Sequence, residues 1–207
     1  MYDDADHINA EAGKLADEGK DVILVAHSYG GVPTSQSIKG VSKAEREKVG
    51  KKGGVVRVAY MAALVPELGG SAASLMAGGE NMTYVAPDED GWLYHVDMKI
   101  TAPIVFSSLS PEDALERCKE FSTHSGASFA NELTNAGYLN VPASYLFSEK
   151  DQCVLPKVQQ RGIDNIEKAT GRKVDVTRIA ADHCPEVSVP ETVLDWWVHL
   201  IELGGKE

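Results

Sequence analysis

Three side chains of this sequence carry chemistry if the fold brings them together. Ser28 stands in AHSYGG (residues 26–31), directly after the apolar run DVILV, in the pattern small-x-Ser-x-Gly. Small residues there let a chain turn sharply off a strand and expose a serine hydroxyl at the strand's carboxyl end. Ala26 takes the place of the usual first glycine, and Gly30 is expected to sit where the following helix crowds the strand. A serine hydroxyl is a weak nucleophile at neutral pH, so it needs a base, a group to orient that base and donors for an oxyanion. Glu149 and Asp151 in SEKDQCVLP each offer a carboxylate, and His183 in ADHCPEVSVPE offers an imidazole. Serine, acid, histidine is one of the chain orders in which a nucleophilic triad occurs.

The remaining reactive side chains suggest less. His27 precedes the serine, and adjacency on a strand turns neighbours to opposite faces, so a structural role is expected for it. His124 is a candidate for substrate contact, while His7, His95 and His199 have no partner pattern. Cys118, Cys153 and Cys184 lie far apart without a CxxC pair, which suits reduced thiols and a cytoplasmic setting. Adjacent His183 and Cys184 are not a spaced chelating pair, so neither a metal nor another cofactor is expected.

Positioning the three residues requires strands that end at a common edge. DVILVAH, GGVVRVAYMAALV and VPASYLF are continuous apolar runs, and KVDVTRIAA alternates partially, as a strand near a sheet edge does. Helices separate them. DHINAEAGKLADEGK presents Ile8, Ala12, Leu15 and Ala16 on one face, and Pro33 fits only the first turn of the helix after Ser28. PKVQQRGIDNIEKATG reads as a helix ending at Gly171, and VPETVLDWWVHLIELGG sets Val193, Trp197, Leu200 and Ile201 on one face. The alternation predicts an α/β fold, a parallel sheet flanked by helices, in one domain over 1–207. Only the interval of about 66–140 breaks the rhythm, with glycine pairs at 69–70 and 78–79, the turn PDEDG and scattered Met76, Met82, Trp92, Tyr94, Met98 and Phe106. An inserted lid is expected there, its helix opening at SPED, with the apolar residues forming its own small core or a substrate pocket.

A formal charge of -11 over 207 residues excludes nucleic acid and anionic membrane surfaces as natural partners, which leaves small molecules. The basic stretch SKAEREKVGKK is interrupted by Glu45 and Glu47 and reads as a solvated helix or loop. No apolar stretch reaches the length of a membrane span, and the N-terminus is acidic where a secretory signal is basic.

VAHSYGG, VPASYLFSEKDQCVLP and ADHCPEVSVPE together resemble the nucleophile, acid and histidine blocks of the α/β-hydrolase superfamily, from about residue 3 to the end. The likeness is to lid-bearing esterases of the branch that includes plant methylesterases and hydroxynitrile lyases, and SSLSPEDALERCKEFSTHSGASF looks like that branch's lid. The resemblance implies Ser28 as nucleophile, His183 as base, Asp151 as the acid with Glu149 at a non-catalytic position, the Tyr29 N–H as an oxyanion donor, and His124 near substrate. It implies hydrolysis of a small carboxylic ester or lactone. The alternatives are a carbon–carbon lyase on the same triad, or a catalytically impaired fragment or binding module.

In the fold it resembles, the serine follows the fifth strand, whereas one helix alone precedes it here. An N-terminally truncated sheet is therefore expected, without the loop that donates a second oxyanion N–H. A truncated chain ranks ahead of a natural short form and an inactive relic. The open apolar edge of VILVA would invite a second copy, giving a homodimer.

Overall fold

The computed structural model describes residues 1–77 and 83–206; the glycines at 78 and 79 and Met82 lie outside the described residues. Helix α1 (Tyr2–Asp17) leads to strand β1 (Asp21–His27), α2 (Gly31–Ser37), α3 (Lys43–Glu47) and β2 (Gly54–Met61). The insertion follows: α4 (Ala72–Met76), β3 (Val85–Pro87), β4 (Trp92–His95), α5 (Met98–Val105), α6 (Pro111–Cys118), β5 (His124–Ser125) and α7 (Gly126–Ala130). The chain then resumes with β6 (Ala143–Ser148), α8 (Pro156–Thr170), β7 (Asp175–Ile179), α9 (Pro185–Ser188) and α10 (Pro190–Leu203).

Strands β1, β2, β6 and β7 form one parallel sheet in that order, so all four carboxyl ends meet at one edge. Every residue of β2 and β6 is buried, which is why their sequences are mostly apolar rather than alternating; buried Arg57 is the charged exception, and it donates to Ser144 Oγ. Val58, Tyr60, Tyr145 and Phe147 join Ala12, Val32 and Ile163 in the larger core, under α1, α2 and α8. Their neighbours Ala59, Met61 and Leu146 face the other way, against Val193, Trp196 and Leu200 of α10.

The face expected for α10 was half right. Val193 and Leu200 are buried, but Trp196 takes the third inward position, while Trp197 and Ile201 are exposed. The helix is apolar on nearly every side, with Leu194 and Val198 exposed as well, so periodicity could not choose its inner face. In α1, Ala5, Ala12 and Ala16 are buried and Leu15 is exposed, since only alanines let the helix approach α2 and β2 closely. Helix α8 ends at Gly171 with φ +69°, as expected of a left-handed cap. Arg46, within the stretch expected to be solvated, is buried; it bonds the carbonyls of Lys52 and Gly53 and pairs with Asp17.

Between β2 and β6 the insertion forms a three-stranded antiparallel sheet, β3-β4-β5, with short helices. Two backbone bonds tie its neck, Gly69 N–H to Leu133 O (2.8 Å) and Leu133 N–H to Gly70 O (2.7 Å). Ala102, Val105, Phe106, Ala114 and Cys118 make a small core that also takes in Cys184, from beyond β7. Trp92 and Tyr94 are exposed and contribute nothing to it. Strand β1 is an edge strand, and among the described residues its partner strand is β2 alone. No helix of the described residues is long and apolar enough to cross a membrane.

Candidate active site

Strand β1 delivers its last residue, His27, to the carboxyl edge, and the chain turns at once. Ser28 has φ +53°, a left-handed conformation rare outside glycine, and opens a single 3-10 turn, Ser28–Gly30, before α2. The turn is braced from β2: Leu64 N–H donates to Ser28 O (3.0 Å), while the Tyr145 hydroxyl accepts from Ala63 N–H (2.9 Å) and donates to Ala63 O (2.6 Å). The glycine that permits this closeness is not Gly30, which has open space around it. A Cβ on Gly31 would collide with the Leu64 carbonyl oxygen.

The loops after β6 and β7 keep pairing beyond the strands, Glu149 N–H to Ile179 O (2.9 Å) and Lys150 N–H to Ala181 O (3.0 Å). This brings Asp151 and His183 side by side. His183 Nδ1 lies 2.8 Å from Asp151 Oδ2, and His183 Nε2 lies 2.9 Å from Ser28 Oγ. An ionised carboxylate only accepts, so Nδ1 carries the proton and the Nε2 lone pair faces the serine. Asp151 Oδ1 accepts from the N–H groups of Cys153 (2.8 Å) and Val154 (2.9 Å), and the residue is 2% exposed. Glu149 is exposed and takes no part.

Two positioning residues escaped sequence reasoning. Gln159, fully buried on α8, accepts from Ser148 N–H and donates to the carbonyl oxygens of Ser148 and Val154, with Asp151 Oδ2 at 3.4 Å. Its signal was a polar residue on the apolar face formed by Val158, Ile163 and Ile166. Asp182 accepts from Ser108 N–H (2.9 Å) and the Ser188 hydroxyl (2.8 Å), tying the His183 loop to the insertion. Nothing in its local sequence announces that tether.

His27 is more than a filler of the far face. Its Nε2 lies 2.7 Å from the His183 carbonyl oxygen, and the two rings are 4.7 Å apart, because the chain from β7 to α10 crosses that face. Burial, and then the neighbouring His183, push its pKa down to about 3, so it is neutral and Nε2–H is the donor. For His183, burial works against the charged ring, but Cys153 and Asp151 outweigh it and hold the pKa well above the usual histidine value.

Ser28 opens on two cavities. One, of about 200 Å³, is walled by Tyr29, Leu64, Met76, Tyr84, Leu93 and Phe129; the other, of about 300 Å³, runs past Phe121 and Cys153 to His183. His124 borders both, its ring edge-on to Tyr29 at 4.5 Å and its Nδ1 3.1 Å from Ser125 O. His95 also borders both, although no partner pattern marks it; its Nδ1 lies 3.1 Å from Thr101 Oγ1. His199 pairs with Asp175 (3.1 Å) on the body of the fold, and His7 is exposed.

A parallel sheet whose first strand ends at a strained serine, with an acid and a histidine delivered by the next loops, defines the class. The alpha/beta hydrolase family model matches residues 1–196, and the chain belongs to the α/β-hydrolase family as an enzyme of that kind. The probable hydrolase R7 of Phoma sp. is 39% identical over 195 residues, 94% of this chain and 76% of that relative. Among solved structures, a pyrethroid hydrolase from Sphingobium faniae superposes with a TM-score of 0.70 at 18% identity, over 98% of this chain and 79% of its own. A methylesterase from Arabidopsis superposes with a TM-score of 0.62 at 20% identity, over 96% and 78%.

Proposed function

We propose that this enzyme hydrolyses a small carboxylic ester or lactone through an acyl-enzyme on Ser28. The observation that carries the reading is the relay itself, Ser28 Oγ to His183 Nε2 at 2.9 Å and His183 Nδ1 to buried Asp151 at 2.8 Å. Ser28 Oγ attacks the carbonyl carbon as its proton passes to His183 Nε2. Asp151 holds the ring in the productive tautomer and balances the imidazolium. The Tyr29 N–H serves as a donor to the oxyanion, and His183 returns the proton to the departing alkoxide. Water, deprotonated by the same nitrogen, then attacks the acyl group and frees Ser28. The two small cavities suit the acyl and alcohol parts of a modest substrate, with His124 in contact with it and the insertion acting as a lid. A pyrethroid hydrolase and a methylesterase on the same scaffold accord with ester chemistry. Three free cysteines suit a reducing compartment such as the cytoplasm.

The test is covalent labelling by a fluorophosphonate, together with trapping of an acyl group from a p-nitrophenyl ester. Labelling and acylation at Ser28, both absent from a folded Ser28→Ala variant, are the expected result. A folded wild-type chain that does not label overturns the reading. Labelling without acyl-serine points instead to the carbon–carbon lyase chemistry that the same triad supports.

A further inference from the structure

Behind the relay, on the α10 side of β1, lies a second group of reactive side chains. A ring nitrogen of His27, Cys184 Sγ and a Glu186 carboxylate oxygen all lie within 4.8 Å of one another. They come from two segments distant in sequence, His27 at the end of β1 and the Cys184–Glu186 stretch that opens α9. Independently, Glu186 Oε2 is buried with no hydrogen-bond partner, and a carboxylate oxygen shut away from water in that state is costly. Because the His183 carbonyl can only accept, His27 Nε2 carries the ring's proton, which leaves a free lone pair on Nδ1. A second ring nitrogen tied to a backbone carbonyl is also how metal-binding histidines are oriented.

From this geometry we propose a binding site for a zinc-like divalent cation, held by His27, Cys184 and Glu186. One nitrogen, one sulfur and one carboxylate oxygen are the donor set of a borderline metal; calcium and magnesium prefer oxygen alone. Tetrahedral zinc with bonds of about 2.0–2.3 Å sets its donors some 3.3–3.8 Å apart, so side-chain shifts of about 1 Å complete the site. On binding, the Cys184 thiol gives up its proton to solvent, and water fills the fourth position. Entry is available, since His27 and Cys184 both line the 300 Å³ cavity beside Ser28. The ion bridges the residue before Ser28 to the residue after His183.

Cobalt(II) titration of the purified chain tests this, read by the thiolate-to-cobalt absorption band and by zinc competition, with circular dichroism confirming the fold. One ion per chain is expected, with the band lost in Cys184→Ser, affinity lowered at least tenfold in Glu186→Gln, and both kept in Cys153→Ser. Absence of the band in the wild type overturns the proposal, as does a band that survives Cys184→Ser but disappears in Cys153→Ser. Should Cys184→Ser fail to fold, Glu186→Gln decides: unchanged affinity there rejects the site. The readout is of binding, so it stands apart from the fate of the ester reading.

Discussion

Two histidines in contact titrate in opposite directions, and each leaves a signature in pH. In the proposed reaction His183 accepts the Ser28 proton and so must be neutral, and its pKa is raised. The acid limb of kcat/KM is therefore expected above the usual histidine value of about 6.5, and a limb below it would contradict the electrostatics of the relay. For stability the signs differ. The raised pKa of His183 contributes stability that is fully present below its unfolded pKa and is lost as pH rises through the folded one. His27, at about 3, resists protonation when folded, so it withdraws stability as pH falls from about 6.5, at about 1.4 kcal/mol per unit. Urea titrations from pH 7 to 4 should show that acid loss flattened in His27→Gln. Ser28, Asp151 and His183 were legible because each sits in a short local pattern after a strand. Gln159 and Asp182 were not, because Gln159 reaches groups 5 to 11 residues away around a loop and the Asp182 tether reaches Ser108, 74 residues away, brought near only by the fold.

At the scale of elements, the strand-to-helix turn depends on how closely α2 passes the chain leaving β2. Gly31→Ala would drive a methyl into the Leu64 carbonyl, whose own N–H braces Ser28. A loss of about 1–3 kcal/mol is expected, measured as a lowered thermal midpoint, along with lower turnover. Gly30, at φ -52° and ψ -19° with nothing near its Cβ position, should accept alanine with no loss of stability. Equal tolerance at both positions would refute this account of the turn. The sequence pattern located the turn but assigned the crowding to the wrong glycine, since the obstacle is a backbone atom more than thirty residues on. Three of the four main strands were legible from long apolar runs and β7 from its partial alternation, whereas α10 was ambiguous because apolar residues surround it.

Across the whole molecule, the sheet is left open on one side. β1 pairs with β2 alone among the described residues; Val25 on it is exposed, and so are Leu194, Trp197, Val198 and Ile201 on α10. An unpaired edge beside an apolar helix face favours association, so sedimentation should show concentration-dependent dimers. Val25→Lys combined with Ile201→Glu should return the chain to monomers, and a wild type that stays monomeric at high concentration would rule this out. The net charge of -11, with Asp195 and Glu202 exposed beside the stripe on α10, opposes such contact, so added salt should strengthen the dimer.

The crossed hydrogen bonds at the neck of the insertion bear on ancestry. Gly69, Gly70 and Leu133 close the excursion with main-chain bonds, which make no demand on the side chains between them. Beyond that neck the excursion meets the body at a short set of places, the Asp182 bond to Ser108 N–H, Cys184 packed into its core, Tyr84 at Cys153 and His124 against Tyr29, so it behaves as a cassette with a few fixed contacts. Recombination that respects those contacts could exchange it, giving descendants new diets while Ser28, Asp151 and His183 passed on in place.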